Sequence, residues 1–501
     1  MSSLSKSNKS KEPILAWKEI IPPSPSPGIP PFHSVDSLRK ETPSSSSKKH
    51  ATRKKLLQTF SRTVKSSPKM AQLLGKLCSS DSGSCITFGK YVKPLKKLFH
   101  NFVFFRYAFP QIRPIGSVSA NGFVYEIAYE HHGIRAHTIL KCSVPSERNI
   151  DSLYYEYLVG HCFVNQCNLR FPCFLETYGA YNIDSSVVQT MANLAKNKTN
   201  RFPIDPLINP LKIRRFKTYH QILDFAKQIR TSCEKQFNIG ILIQHINTPY
   251  TMKSHFDKRY QDPNYYYYEL PQLLFQVYAP LSVLGETFTH YDLHRDNVLL
   301  YNLGATKYIQ MNYVYAAVTV SFKTHLISKI IDYGRSYFYL DKTLNSETIY
   351  KKVCEVCIDR KYPENTCGAY NGYGWLNADS PADNYYIVSS RPNLSHDLRL
   401  MNEFKLDPNR LTIPCRMTDI FKNLQYETRY GTPERFDAPD ERGIIYNIID
   451  ATIQLGEMIQ KSGYHVENDK FYQHATSVGT LTIYMDSDKS MTFDPANWTQ
   501  G

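Results

Sequence analysis

Between an apolar helical stretch and a short aliphatic run lies Thr289-His290-Tyr291-Asp292-Leu293-His294-Arg295-Asp296-Asn297-Val298-Leu299-Leu300. It confines a carboxylate, two basic side chains and a carboxamide to one short loop. Phosphoryl transfer asks for such a set. An Asp orients an attacking hydroxyl and accepts its proton, and the carbonyl oxygen of an Asn five residues later can ligate Mg²⁺.

The flanking elements are those that would hold such a loop. Glu269–Phe288 has helical periodicity, with Pro271 suited to a first turn and Pro280 a candidate kink. Asn297–Tyr301 and Leu326–Ile331 read as short strands, and Tyr313–Phe322 as an aliphatic strand-like run. Upstream, Gly116–Ala128 with Thr138–Ser143 predicts a hairpin plus a third strand. Asp151–Gly160 predicts a capped helix, and Leu175–Tyr181 and Gly240–Ile246 predict two more strands. Sheet first and helices afterwards is the order of an α+β protein with two lobes.

The loop resembles the catalytic loop of the eukaryotic-type protein kinase superfamily, H-R-D-L-x-x-x-x-N, through His290, Asp292, Leu293 and Asn297. Ile330-Ile-Asp-Tyr-Gly-Arg335 is similar to the D-F-G step, with Tyr333 in the Phe position, and Thr138-Ile-Leu-Lys141 is similar to V-A-I-K. The resemblance implies that Asn297 and Asp332 hold Mg²⁺, and that Lys141, paired with Glu156, grips the α- and β-phosphates of ATP. It further implies that Asp292 orients the acceptor, and that His294 or Arg295 supplies charge to the γ-phosphate. Ile115–Val124 stands at the phosphate-covering loop through Gly116, Ser117, Gly122 and Val124, without the middle glycine. Glu126 is the rival partner for Lys141, set aside because its strand would turn it sideways. Asp397, in Ser395-His-Asp-Leu-Arg-Leu400, takes the place of the Asp that braces the catalytic loop. Tyr291 replaces the Arg that receives an activation-loop phosphate, which implies independence from that modification. Gly431-Thr-Pro-Glu434 lies too late to be A-P-E and reads as a helix start.

The implied fold is α+β: a bilobal protein kinase-like fold with a small antiparallel β lobe and a large helical lobe, behind a disordered basic tail. Residues 1–70 form the tail, 71–247 the first lobe with an insertion at 185–238, and 248–461 the second with insertions at 302–322 and 340–385. Residues 462–501 form an extension with a possible hairpin from Val478–Tyr484 and Ser490–Phe493. The expected function is Mg²⁺- and ATP-dependent phosphorylation of Ser or Thr on a protein substrate. His294 and the missing A-P-E keep open a small-molecule phosphotransferase of the aminoglycoside or choline kinase type. A non-catalytic kinase-fold binding protein is the third reading. The motif combination is most similar to the kinase-like proteins of large DNA viruses, which would place the chain in host cytoplasm or a virion.

Composition sets the outer bounds. The chain has 501 residues, 13% aromatic and 21% charged, rich enough in apolar side chains to fold over most of its length. Residues 1–70, rich in Ser, Pro and Lys, hold 14 Lys and Arg against 4 Asp and Glu, so ten of the fifteen net positive charges lie there. Such a tail suits nucleic acid or an acidic partner. No run reaches the ~18–20 apolar residues of a membrane helix, and no apolar stretch of a secretory leader follows Met1. Eleven scattered cysteines suit a reducing, intracellular compartment. Cys354-Glu-Val-Cys357 with Cys367, and His396 or Cys415 as a fourth ligand, is a weak zinc pattern.

Overall fold

The computed structural model describes residues 99–102, 108–143, 153–197, 213–230, 239–246, 250–349, 391–409, 415–426, 443–466 and 470–496, apart from five single positions within them, together with Lys93, Lys96 and Lys97. The tail at 1–70, Cys354, Cys357 and Cys367, most of the 340–385 segment and Gly431–Glu434 lie outside the described residues.

Over the described residues the protein is mixed α+β, with about ten helices and sheets whose strand pairs are antiparallel apart from one. Three strands open it: β1 (Ala108–Ser119), β2 (Gly122–His131) and β3 (Ile134–Cys142), antiparallel in sequence order. Helix α1 (Leu153–Leu158) continues through a π-helical turn, Val159–Val164, into α2 (Asn165–Arg170). Next come β4 (Thr177–Ile183), α3 (Ser185–Lys196), β5 (Ile213–Arg215), α4 (Tyr219–Arg230) and β6 (Ile239–Gln244). The strands make one six-stranded sheet ordered β1-β2-β3-β6-β4-β5. At its first hairpin, Gly122 has φ +145°, and a Cβ there would fall 2.1 Å from the carbonyl oxygen of Cys142 on β3. Only glycine lets β2 begin so close to β3.

Part of segment 185–238, read as an insertion, packs into the core of the sheet. The apolar face of α3, with Val187, Val188, Met191, Ala192 and Ala195, packs with Ile112, Tyr125, Ile127, Leu140 and Leu242 from the strands. The Tyr125 hydroxyl donates to Met191 O at 2.7 Å. The alternation in β2 is thus explained by burial on this face. Residues of α1, together with Ala180 of β4 and Ile239 and Ile241 of β6, join the larger core formed with the helices that follow.

Those begin with α5 (Met252–Arg259), capped by Thr251, whose hydroxyl accepts from Ser254 N–H. Helix α6 (Leu270–Leu284) is preceded by a π-helical turn, Tyr265–Glu269. It carries Pro271 in its first turn, continues through Pro280 and is buried nearly all round. Then come β7 (Phe288–Thr289), β8 (Val298–Asn302), β9 (Lys307–Val314), β10 (Thr319–Thr324), β11 (Leu326–Ile330) and β12 (Tyr337–Phe338). The aliphatic run 313–322 is therefore two antiparallel strands joined by a turn, not one. Helices α7 (Arg399–Leu406), α8 (Arg416–Asn423), α9 (Ile448–Val466) and α10 (Lys470–His474) follow. The C-terminal hairpin is present as β13 (Thr476–Tyr484) against β14 (Thr492–Pro495), and β13 pairs in parallel with β9. Segment 302–322 thereby supplies half of a four-stranded sheet, β10-β9-β13-β14. No helix among the described residues is long and apolar enough to cross a membrane.

Candidate active site

Two short ribbons set the loop. The pairing of β8 with β11 places Val298 opposite Ile330, and that of β7 with β12 places Thr289 opposite Tyr337. The loop 290–297 leaves β7 and enters β8, while Asp332 follows β11. The two segments are therefore neighbours by register, and Ile331 N–H donates to the carbonyl of Asn297 at 3.0 Å.

Asp397 holds the loop's first turn. Its two carboxylate oxygens accept from the backbone N–H groups of His290 (2.8 Å) and Tyr291 (3.0 Å). Tyr291 adopts φ +61°, a costly conformation for a residue with a large side chain. Besides the Asp397 bond, its hydroxyl donates to Arg391 O at 2.8 Å and its ring packs against His396. Burial pushes Asp397 up to about 7, although both N–H bonds act the other way.

His290 is fully buried. Its Nδ1 accepts from Asp292 N–H at 3.2 Å, so the proton resides on Nε2, 2.9 Å from Ile331 O. One imidazole thus bonds both chemical segments. Burial lowers its pKa to about 4, keeping the ring neutral. His290 is a structural histidine, placed to aim Asp292.

The Asn297 side-chain N–H₂ donates to Asp292 O at 2.8 Å. This fixes the amide orientation and turns Oδ1 away from that bond, leaving it suited to a cation. Asp332 sits at φ +67°, held by the buried Tyr333 beside it. The Tyr333 hydroxyl donates to Ile330 O (2.7 Å) and accepts from Leu175 N–H (3.2 Å). Its ring meets Phe174, Phe288 and His290. The hydroxyl that distinguishes Tyr from Phe here is accordingly satisfied. The Asp332 side chain stays 42% exposed.

Lys141, near the end of β3, bridges Glu156 on α1 (2.7 Å) and Asp332 (3.1 Å). Burial pulls its ammonium down, but the charges of Asp332 and Glu156 outweigh that and raise it above the ordinary lysine range. The Lys141 charge in turn holds Asp332 below the usual carboxylate range. Helix α1 is anchored next to Glu156, where the buried Tyr155 hydroxyl donates to Ser336 O at 2.6 Å.

Val124 lies opposite Lys141 in the β2–β3 register, and Gly116 (φ +69°) and Gly122 flank the tip of the first hairpin. Ser117 belongs to β1, but its side chain lies outside the described residues. Glu126 does turn elsewhere: it pairs with Arg113 (2.5 Å), His137 (2.5 Å) and His245 (3.5 Å). Burial pushes its carboxyl up, but these partners hold it at about 2.

Of the two candidates for charge at the γ-phosphate, His294 and Arg295, Arg295 bonds elsewhere. It opens the 3₁₀ turn Arg295–Asn297, its Nη1 donates to Asp407 at 2.6 Å, and its guanidinium lies over the rings of Phe256 and Phe404. His294 stays close, Nε2 lying 3.9 Å from Asp292 Oδ1, while its Nδ1 caps the turn by accepting from Asp296 N–H. The cations at Asp292 come from other segments. Arg399 Nη1 donates to Oδ1 at 3.0 Å, and Arg335 Nη1 lies 3.7 Å from Oδ2. Their only signal in the sequence was proximity to Asp397 and Asp332.

The donors Asp332 and Asn297 are hard oxygens of the kind Mg²⁺ accepts, with phosphates and water completing its shell. Among the described residues, no group of three or more His, Cys, Asp or Glu side chains could hold a metal ion. Of the residues in the zinc pattern, His396 is buried against Tyr291 and Cys415 is buried, while Cys354, Cys357 and Cys367 lie outside the described residues. Comparison of the sequence with protein-family models and with curated proteins finds no match.

Proposed function

We propose that the protein is a Mg²⁺- and ATP-dependent protein kinase with a bilobal kinase-like fold, transferring the γ-phosphate to Ser or Thr hydroxyls. The observation that carries this reading is the bonded convergence of Lys141, Glu156, Asp292, Asn297 and Asp332 from β3, α1 and the two loops at β8 and β11. A solvated surface has no need of a half-buried ammonium shared between two carboxylates beside an amide fixed by its own loop.

In this mechanism Glu156 keeps Lys141 extended towards the α- and β-phosphates. Asp332 and the Asn297 carbonyl oxygen would hold Mg²⁺, which when bound neutralises phosphate charge. Asp292, aimed by His290 and Asn297, orients the acceptor hydroxyl. The hydroxyl oxygen bonds to the γ-phosphorus, the bond to the β-phosphate oxygen breaks, ADP leaves, and the proton passes to Asp292. Rate comes from positioning and charge complementarity.

The test is a γ-phosphate transfer assay with phosphoamino-acid analysis. Phosphoserine or phosphothreonine is expected, and Asp292→Ala should abolish transfer while nucleotide binding persists. Equal loss of both would count against the assignment. ATP consumption with every protein unlabelled would favour a small-molecule acceptor.

A further inference from the structure

Three cationic or ionisable side chains surround Asp292, each brought by a different segment: Arg399 from the start of α7, Arg335 from the turn after Asp332, and His294 from the loop itself. The two arginines approach different carboxylate oxygens, at 3.0 Å on Oδ1 and 3.7 Å on Oδ2, and Arg399 Nε also lies 3.7 Å from Glu403 Oε1 on the next turn of α7. Their positions are set by the site's own framework. Arg399 lies two residues from Asp397, which bonds the loop backbone, and Arg335 three from Asp332. Exposure runs the opposite way to chemical importance. The Asp292 side chain is 16% exposed, against 36% for Arg335 and 26% for Arg399. A molecule arriving from solvent meets the guanidinium groups before it meets the carboxylate.

We propose that Arg335 and Arg399 read an anion beside the acceptor hydroxyl, so that the preferred substrate is a Ser or Thr flanked by acidic residues. This rests on the kinase reading and supplies its substrate class. Arg399 holds one Asp292 oxygen in a charge-assisted bond, and the carboxylate keeps further lone pairs for a hydroxyl. An acidic flank offers both guanidinium groups a partner in the planar geometry they favour. A Lys- or Arg-flanked acceptor would bring like charge to two arginines.

The experiment uses the full chain with Mg-ATP and peptides carrying one Ser between Glu, Gln or Lys neighbours, with glycerol phosphate as a small anionic hydroxyl compound. The Glu peptide should exceed the Gln peptide in kcat/KM by about tenfold at low salt, less at high salt. The Lys peptide should be the poorest. Arg335→Gln should erase the Glu-over-Gln preference mainly through KM, and Arg335→Glu should favour Lys neighbours. Arg399→Lys, which keeps a charge without the planar fork, should retain only part of the preference. A merely structural role for Arg335 would lower all peptides equally and overturn the proposal, as would equal use of the three peptides or preference for Lys. Glycerol phosphate phosphorylated in preference to the Glu peptide would overturn the peptide assignment. Binding of fluorescent versions of the peptides separates the two readings. Selective Glu-peptide binding lost in Arg335→Glu, without ATP-dependent transfer to any acceptor, would sink the kinase reading and keep the anion site. Transfer without selectivity would do the reverse, and absence of both would remove both.

Discussion

The Lys141 corner and the Asp292 corner of the site are electrostatic opposites. At the first, one ammonium lies between two carboxylates, Glu156 and Asp332. At the second, one carboxylate lies among two guanidinium groups and a histidine. On the proposed reading, the first corner would take a metal-bound nucleotide and the second an acidic acceptor. The buffering differs too. Lys141 touches both of its anions at hydrogen-bond distance, whereas Arg335 lies 3.7 Å from Asp292, so the first corner is the more tightly bonded.

The most severe way to break this contrast is Asp332→Ala, which should reduce kcat on the order of 10³-fold. It should also remove Mg²⁺-dependent nucleotide binding, read by titrating the metal at fixed ATP analogue. Next is the histidine that joins the corners. Its folded pKa of about 4 lies below the ordinary 6.5, so the unfolded chain takes up a proton that the native state refuses. The resulting stability is present above about pH 6.5 and is lost as pH falls towards 4, by up to about 3 kcal/mol. Denaturant unfolding of wild type and His290→Asn across that range measures it, and parallel profiles would contradict the assignment. Glu156→Gln should cost about 10- to 100-fold in kcat/KM for ATP, with acceptor selectivity untouched if the corners are independent. The mildest change is Arg295→Gln. It should lower stability by about 1 kcal/mol through loss of the Asp407 pair and the Phe256 and Phe404 contacts, and leave the Glu-over-Gln peptide preference in place. Loss of that preference would return Arg295 to the site.

What could be read from the sequence divides along the same physical line. His290, Asp292 and Asn297 act within one loop, where the backbone itself fixes their spacing, and Asp332 follows an apolar strand that announces it. Lys141 and Glu156 were legible because a strand and the next helix bring them to a common level. Arg399 and Arg335 were not, since their relation to Asp292 depends on how α7 packs and how the chain turns after Asp332. Arg295 misled for the complementary reason. Adjacent in sequence to His294, it starts a 3₁₀ turn, and its side chain finds Asp407 and two aromatic faces. The mixed α+β class followed from strand and helix periodicity, whereas α3 within the sheet's core did not. Its polar residues and the Lys, Asn and Pro after it made the segment look appended, although its apolar stripe at Val187, Val188, Met191 and Ala195 is regular.

The parallel pairing of β13 with β9 sets a timetable for synthesis. Strands β8 and β11, which align loop 290–297 with Asp332, can pair as soon as residues 298–330 have emerged, as can β9 with β10. Strand β9 meets its second neighbour only when residues 476–484 have left the ribosome. Until then, one side of β9 presents unpaired amides and carbonyls. A chain cut short before β13 would keep every chemical group of the site and still carry an open sheet margin ready to capture another strand.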